Sequence, residues 1–434
     1  VSLLSFFVLL LTAVPSRLTV APLGAAGTPA QLVGLAAFVW WIYYEIQRPT
    51  APVAGPQPVR TMYVFMSCAV LASYVAAMSR PIEASESSMA DLGIVTVAGW
   101  GGILLLANDG IGSWRRLIVL LRRLVLAGGA LATVGIVQFA TGTGFVDKIE
   151  IPGLHANLAL TGVSIRNGFN RPSGTALHPI EFGSVIAMIL PIALTMALNE
   201  RNRGWVRRWY PVGAIGVATA LAISRSALIA TLLALVILGA SWGRARRVGG
   251  AAMVLVLGGG LFMTVPGLLG SLMGMFTGIG DDSSAQSRSG SYGLAFDFVE
   301  RSPVVGRGLF TFLPRYRILD NQYLGLLIEV GVVGLVMVLG LIVAAIGCAR
   351  AVRQHASDPY RAEIGQALVA SIVAGAAGLA LFDGFSFPMS AGLFFLMLGL
   401  AGAAWRLQRE DESRDRSLPV RELGASSAAG AQHS

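Results

Sequence analysis

Four charged side chains stand out in a sequence that is otherwise mostly apolar: Arg171, Arg225, Arg288 and Asp320. A guanidinium carries a rigid fork of donors that matches phosphate oxygens two at a time. An arginine near an apolar helix centre costs about 2.5–3.5 kcal/mol on insertion scales, so one is kept there for a reason. Arg225 sits in such a place, within Ser224-Arg225-Ser226, midway along an apolar run. Each of the others has a plainer reading when taken alone. Arg171 lies in the turn-rich run Asn170-Arg171-Pro172-Ser173-Gly174-Thr175 and could be a solvated loop residue. Arg288 could be a surface charge, and Asp320 could cap the apolar helix that follows it. His178, before Pro179, could be a loop histidine, and Glu329 a structural hydrogen bonder inside its helix. Their joint placement favours chemistry on an anionic ligand.

The elements that must position these groups are helices in lipid. The chain has 434 residues, 55% of them hydrophobic and 13% charged, with mean hydropathy +0.69. Soluble domains carry about 25% charged residues. The deficit runs the whole length, which predicts an all-α polytopic membrane protein. Cys68 and Cys348 both lie in apolar runs, so no disulfide framework is implied. Four histidines without CxxC or HExxH argue against a metal site. No glycine loop of the nucleotide-binding type is visible, and the scattered glycines suit close helix packing in lipid. Lys148 is the one lysine, and the net charge of +9 is nearly all arginine. In a membrane protein such charge marks cytoplasmic loops, not a nucleic-acid partner.

A span needs roughly 17–25 apolar residues. The runs are Val1–Val14 (continuing toward Val20), Gln31–Ile46, Thr61–Met78, Leu92–Ala107, Leu117–Ala140 and Ile180–Leu198, then Tyr210–Trp242, Val248–Val265, Asn321–Ala349, Ile364–Leu381 and Pro388–Trp405. The first lacks a basic leader and a clear cleavage site, so it is read as a span. One helix over Tyr210–Trp242 would be about 50 Å long and would overshoot the bilayer. Arginines flank it on both sides, from Arg201 to Arg208 and from Arg244 to Arg247. Two short helices with Arg225 near the outer tip satisfy both facts, which makes about twelve spans. With both ends cytoplasmic, the arginine-rich connections fall inside. The acidic Glu83–Asp91 loop and two long polar segments, 141–178 and 267–320, fall outside. Residues 1–406 then form one membrane-embedded domain with a large extracytoplasmic loop, and 407–434 form a disordered cytoplasmic tail. Arg171, Arg225, Arg288 and Asp320 all face the extracytoplasmic side, at the depth where a lipid-linked diphosphate would sit.

Four motifs carry a family resemblance. Arg171-Pro172-Ser173-Gly174-Thr175-Ala176-Leu177-His178-Pro179 resembles the RPxGTFxHPN-type segment of the O-antigen ligase and polymerase superfamily. Ile223-Ser224-Arg225-Ser226-Ala227 resembles its SRSA-type segment. Arg288 followed by Ser302-Pro303-Val304-Val305-Gly306-Arg307-Gly308 resembles its large outer loop. Asp320-Asn321-Gln322-Tyr323-Leu324, with Leu327, Glu329 and Gly331, resembles the helix start that closes that loop. The resemblance spans about Gln138 to Gly340; the first four spans match in hydropathy alone.

The resemblance implies a GT-C-type glycosyltransferase of the bacterial inner membrane, inverting and independent of metal and cofactor. Its donor would be a glycan on a polyprenyl phosphate or diphosphate, and its acceptor a glycan or lipid. By carry-over, Arg171, Arg225 and Arg288 bind the donor phosphates and stabilise the leaving group, with Arg288 also counted as catalytic. His178, Asn321, Tyr323 and Glu329 become substrate-binding candidates, with Asn321 and Tyr323 equally able to anchor the helix. Ligating members typically carry His where this chain has Asp320, whereas polymerase-like members often carry Asp. Asp320 is the candidate general base, with orienting a substrate hydroxyl or capping as its alternatives. Two other classes stay in view. A flippase of lipid-linked sugars would favour symmetric halves and broken helices, and no internal repeat is visible. A peptidoglycan-type polymerase would share the large outer loop, but its characteristic segments are not evident.

Overall fold

The computed structural model describes residues 1–47, 55–157, 163–166, 168–277 and 290–417. Fifteen α-helices lie within them. They are α1 Ser2–Ala13, α2 Pro29–Gln47, α3 Pro58–Met78, α4 Ala84–Gly110, α5 Trp114–Thr141, α6 Pro179–Asn199, α7 Trp205–Leu221 and α8 Arg225–Ala240. There follow α9 Arg244–Thr264, α10 Leu268–Thr277, α11 Tyr292–Arg301, α12 Gln322–Glu329, α13 Gly331–His355, α14 Pro359–Leu379 and α15 Pro388–Ser417. Each expected apolar run holds a helix, but the first, expected to continue toward Val20, ends at Ala13 and is followed by a strand at Leu18–Thr19. Eight helices (α3, α4, α5, α6, α9, α13, α14 and α15) are long and apolar enough to cross a membrane, and α1 and α8 are shorter apolar helices. The architecture is that of a polytopic all-α membrane protein.

The centre is α6, buried along nearly its whole length and packed by α5, α7, α8, α14 and α15. By contrast, α9 has no buried residue. Connections between helices gather into two ends. At one end, the strand Leu18–Thr19 pairs antiparallel with His155–Ala156. There too, Arg80 and Arg307 bond Glu86 at 3.0 and 2.7 Å, and the Asn321 amide donates to Asp383 Oδ1 at 3.1 Å. At the other end, Arg122 and Tyr360 bond Glu200 at 2.8 and 2.7 Å, and Arg361 bonds Asp411 at 2.6 Å. The segments that charge asymmetry assigns to one side of a membrane thus touch one another.

Three expectations change. The acidic Glu83–Asp91 segment is largely the first turns of α4, beginning at Ala84. Acids suit a helix N-terminus, and Glu86 is 3% exposed between two arginines and the Tyr316 hydroxyl, 2.6 Å away. The Asn321–Ala349 run is two helices, broken at Val330–Gly331. Residues 407–417, expected in the disordered tail, continue α15. Arg406 pairs with Glu410 one turn on and donates to the carbonyls of Asn108 and Ile111, while Arg361 holds Asp411. Those bonds pay for ordering a charged segment; residues 418–434 lie outside the described residues.

Candidate functional site

The segment around Arg171 is fixed from every side. A short ladder pairs Ser164–Arg166 with Phe169–Arg171. Gln138, in the last turn of α5, accepts from the amides of Ser173 (3.2 Å) and Gly174 (2.7 Å) and donates to Gly174 O (3.0 Å). Thr175 Oγ1 donates to Thr12 O at 2.6 Å. Glu181, 0% exposed, accepts from the Leu177 amide with one oxygen (2.7 Å) and from Met389 and Ser390 amides with the other (2.7 and 3.2 Å). That carboxylate joins the motif to the N-terminus of α15, where a negative charge is favoured.

Arg171 itself is 8% exposed, which removes the solvated-loop reading. Its Nε donates to Ala222 O at 3.3 Å. Its buried Nη2 has no hydrogen-bond partner among the described residues. Burial, then the nearby Arg166, lowers its pKa to about 10, so it remains a cation at neutral pH. An unpaired buried donor on a cation costs more than about 1–3 kcal/mol, so a group of this kind calls for a role such as catalysis or the holding of an ion or water. His178 caps α6, its Nδ1 accepting from the Ile180 amide at 3.2 Å. Burial, then Arg171, pushes its pKa down to about 4. The ring is neutral at pH 7, with Nδ1 an acceptor and the proton on Nε2.

The Tyr210–Trp242 run breaks as expected. α7 ends at Leu221 and α8 begins at Arg225, with Ser224 as its N-cap. The break lies where Arg171 bonds Ala222, and α8 starts there with its donor end beside that arginine. Arg225 is half-buried at the first position of α8. Ile223 in the break has φ +45°, a conformation that β-branched residues rarely adopt.

Asp320 also has positive φ, +51°, and Phe310 has +64°. These three are the non-glycine residues with positive φ among the described residues, and all lie in connections at the Arg171 end. Backbone strain of this kind costs about 1–3 kcal/mol per residue and clusters at functional sites. The cap of α12 is Asn321, whose Oδ1 accepts from the Tyr323 and Leu324 amides at 3.1 and 3.2 Å. Asp320 is therefore not the cap and stands half-buried just ahead of it. The Tyr323 hydroxyl donates to Ala376 O at 2.7 Å, which anchors the helix. Residues 382–390 bridge the two groups. Asp383 holds Asn321, Gln322 Oε1 accepts from the Phe385 amide at 2.8 Å, and the Phe387 ring lies 6.3 Å from that of His178.

Glu329 is turned inward. It is 6% exposed, and its Oε1 accepts from the Phe312 amide at 3.3 Å. Its carbonyl accepts from Ser73 Oγ and from the amides of Arg307 and Gly308 at 2.6, 3.0 and 2.8 Å. Gly306 and Gly331 sit face to face at this junction with φ +72° and +65°. A Cβ on Gly331 would stand 2.3 Å from Val304 O, and one on Gly306 2.3 Å from Glu329 O. Two motifs far apart in the chain are thus one interlocked joint, and Glu329 is part of its frame. Arg288 lies outside the described residues. No group of three or more His, Cys, Asp or Glu side chains that could hold a metal comes together among the described residues.

Residues 211–339 match the family model described as O-antigen ligase. The match supports an O-antigen ligase/polymerase-type family and, with it, a membrane glycan-transfer function in the cell envelope. It takes in Arg225, Arg288, Asp320, Asn321, Tyr323 and Glu329, and leaves Arg171 and His178 outside. No curated protein matches the chain. Gln138, Glu181 and Asp383 were not singled out from the sequence, although each is a polar residue at the edge of an apolar run. What marks them is the backbone they hold, which only the fold reveals.

Proposed function

We propose that this protein moves a sugar or glycan from a polyprenyl-(di)phosphate carrier to a glycan or lipid acceptor at the extracytoplasmic face of the bacterial inner membrane. The observation that carries the reading is the buried Arg171 guanidinium with an unused Nη2, held beside the start of α8. An acceptor hydroxyl oxygen attacks the anomeric carbon from the face opposite the carrier, which inverts the centre. The bond from that carbon to the carrier's phosphate oxygen breaks, and its electron pair leaves with the polyprenyl phosphate. Arg171, with Arg225 and Arg288, meets the charge that develops on those oxygens; preorganised cations of this kind are often the largest catalytic term. Asp320 takes the acceptor's proton. His178, neutral, and Asn321 border the same end as polar contacts for sugar hydroxyls.

Purified protein in lipid nanodiscs, given a labelled polyprenyl-linked glycan and a candidate acceptor, tests this. Label should move to the acceptor without added metal. Translocation of the donor across vesicles with no transfer would replace the enzyme reading by a flippase.

A further inference from the structure

The arginine-rich end, opposite Arg171, carries a second built site. A shallow cleft, partly open to its surroundings, lies between the start of α5, the end of α6 and the start of α7. Arg122, Arg203, Arg207 and Arg208 line it, against the single carboxylate of Glu200. Glu200 is 6% exposed and already engaged by Arg122 (2.8 Å), Arg203 (3.5 Å) and the Tyr360 hydroxyl (2.7 Å). Arg208 donates to Ala197 O at 2.9 Å. Arg207 is exposed and makes no ion pair among the described residues. The cleft therefore holds a clear excess of cation. One wall is apolar, formed by Val125, Met196 and the half-exposed Leu126. Trp205, Val206 and Tyr210 stand exposed beside it, as aromatic residues do at a membrane interface.

We infer that this cleft binds the headgroup of an anionic phospholipid of the cytoplasmic leaflet. Its phosphate lies between Arg203 and Arg207, and its acyl chain runs along Leu126. A soluble phosphate would use the arginines but not the apolar wall. Basic pockets between spans on the cytoplasmic side suit such headgroups. The site is at the far end of α6 from the proposed donor site, so it does not rest on the glycan-transfer reading.

The test is native mass spectrometry of the purified full chain titrated with phosphatidylglycerol or phosphatidylcholine, with thermal unfolding as the control for folding. Each surface arginine contributes roughly fivefold to such binding. Arg203→Gln with Arg207→Gln should weaken phosphatidylglycerol about 25-fold and leave phosphatidylcholine unchanged, and the double Lys variant should keep most of the affinity. Equal phosphatidylglycerol affinity in the folded Gln variant overturns the proposal. So does inorganic phosphate that competes as well as the lipid in an Arg207-dependent way, because the ligand is then a soluble anion.

Discussion

Replacing Arg171 with Met gives the sharpest test of the donor-phosphate site, because structure and function predict opposite outcomes. Methionine keeps an unbranched stem in the space beside Ala222. The fold loses one hydrogen bond of 3.3 Å to Ala222 O, and it sheds a buried charge whose Nη2 has no partner among the described residues. A net bond is worth about 0.5–1.5 kcal/mol, and removing a poorly compensated buried charge offsets it. Stability should stay within about 1 kcal/mol of wild type. Transfer should not. One or two hydrogen bonds from a cation to phosphate oxygens are worth about 1.5–3 kcal/mol each, so losing one lowers the rate roughly 10- to 150-fold. If the phosphate gains charge as the sugar leaves, the loss falls on kcat more than on KM. The measurement is initial-rate transfer from a labelled polyprenyl-linked donor in nanodiscs, alongside thermal unfolding. A folded Arg171→Met protein with wild-type kcat/KM refutes the assignment. An inactive protein that is also strongly destabilised would show that Arg171 serves the fold.

Asp320→Asn removes the proton acceptor with little change of shape, and transfer should fall at least about tenfold; an unchanged rate removes the base role. Gly331→Ala forces a side chain into φ +65° and 2.3 Å from Val304 O, so thermal unfolding should show a loss of at least about 1–2 kcal/mol, reversed by no substitution at Glu329. His178 titrates at about 4 in the fold against 6.5 in the unfolded chain, so the unfolded state takes up the extra proton between those values. The contribution of His178 to stability is then intact above pH 6.5 and lost as pH falls toward 4. His178→Asn keeps an N-cap acceptor and should flatten that slope in unfolding measured from pH 7 to pH 4; a parallel slope would mean the ring is solvated.

Most of the helical layout was legible in the sequence because lipid imposes a length and a composition on each span. The break inside Tyr210–Trp242 was legible for a similar reason: the run was too long for the bilayer, and Arg225 marked its middle. The break at Gly331 was not, since Leu324–Val338 is apolar apart from Glu329, and one acid is equally compatible with an unbroken helix. It follows from the loop at Pro303–Gly308, which bonds the backbone of Glu329, Val332 and Val333 and needs space where a helix would continue. Glu86 misled for the opposite reason. Its charge suggested a loop, while Arg307, more than two hundred residues away, makes it a buried helical residue. Capping was one of the alternatives left open for Asp320, since Asp320 and Asn321 are both good capping types; the amides of Tyr323 and Leu324, which donate to Asn321 Oδ1, decide between them.

That one-residue difference assigns the capping of α12 to Asn321. Asn321 takes that duty with a neutral amide, and Asp383 steadies it by accepting from its backbone. The acid next to it is left in a strained conformation at the same end of the protein as Arg171, on a frame that Gln322, Tyr323 and Glu329 pin to three other segments. Strain of this order would relax if the neighbours did not over-determine it. The interlocked joint at Gly306 and Gly331 lies about two turns along α12 from Asp320 and fixes the far end of that helix. Loosening the joint should therefore reach Asp320 through rigid backbone before it reaches Arg171, which Gln138 and Ala222 hold from other helices.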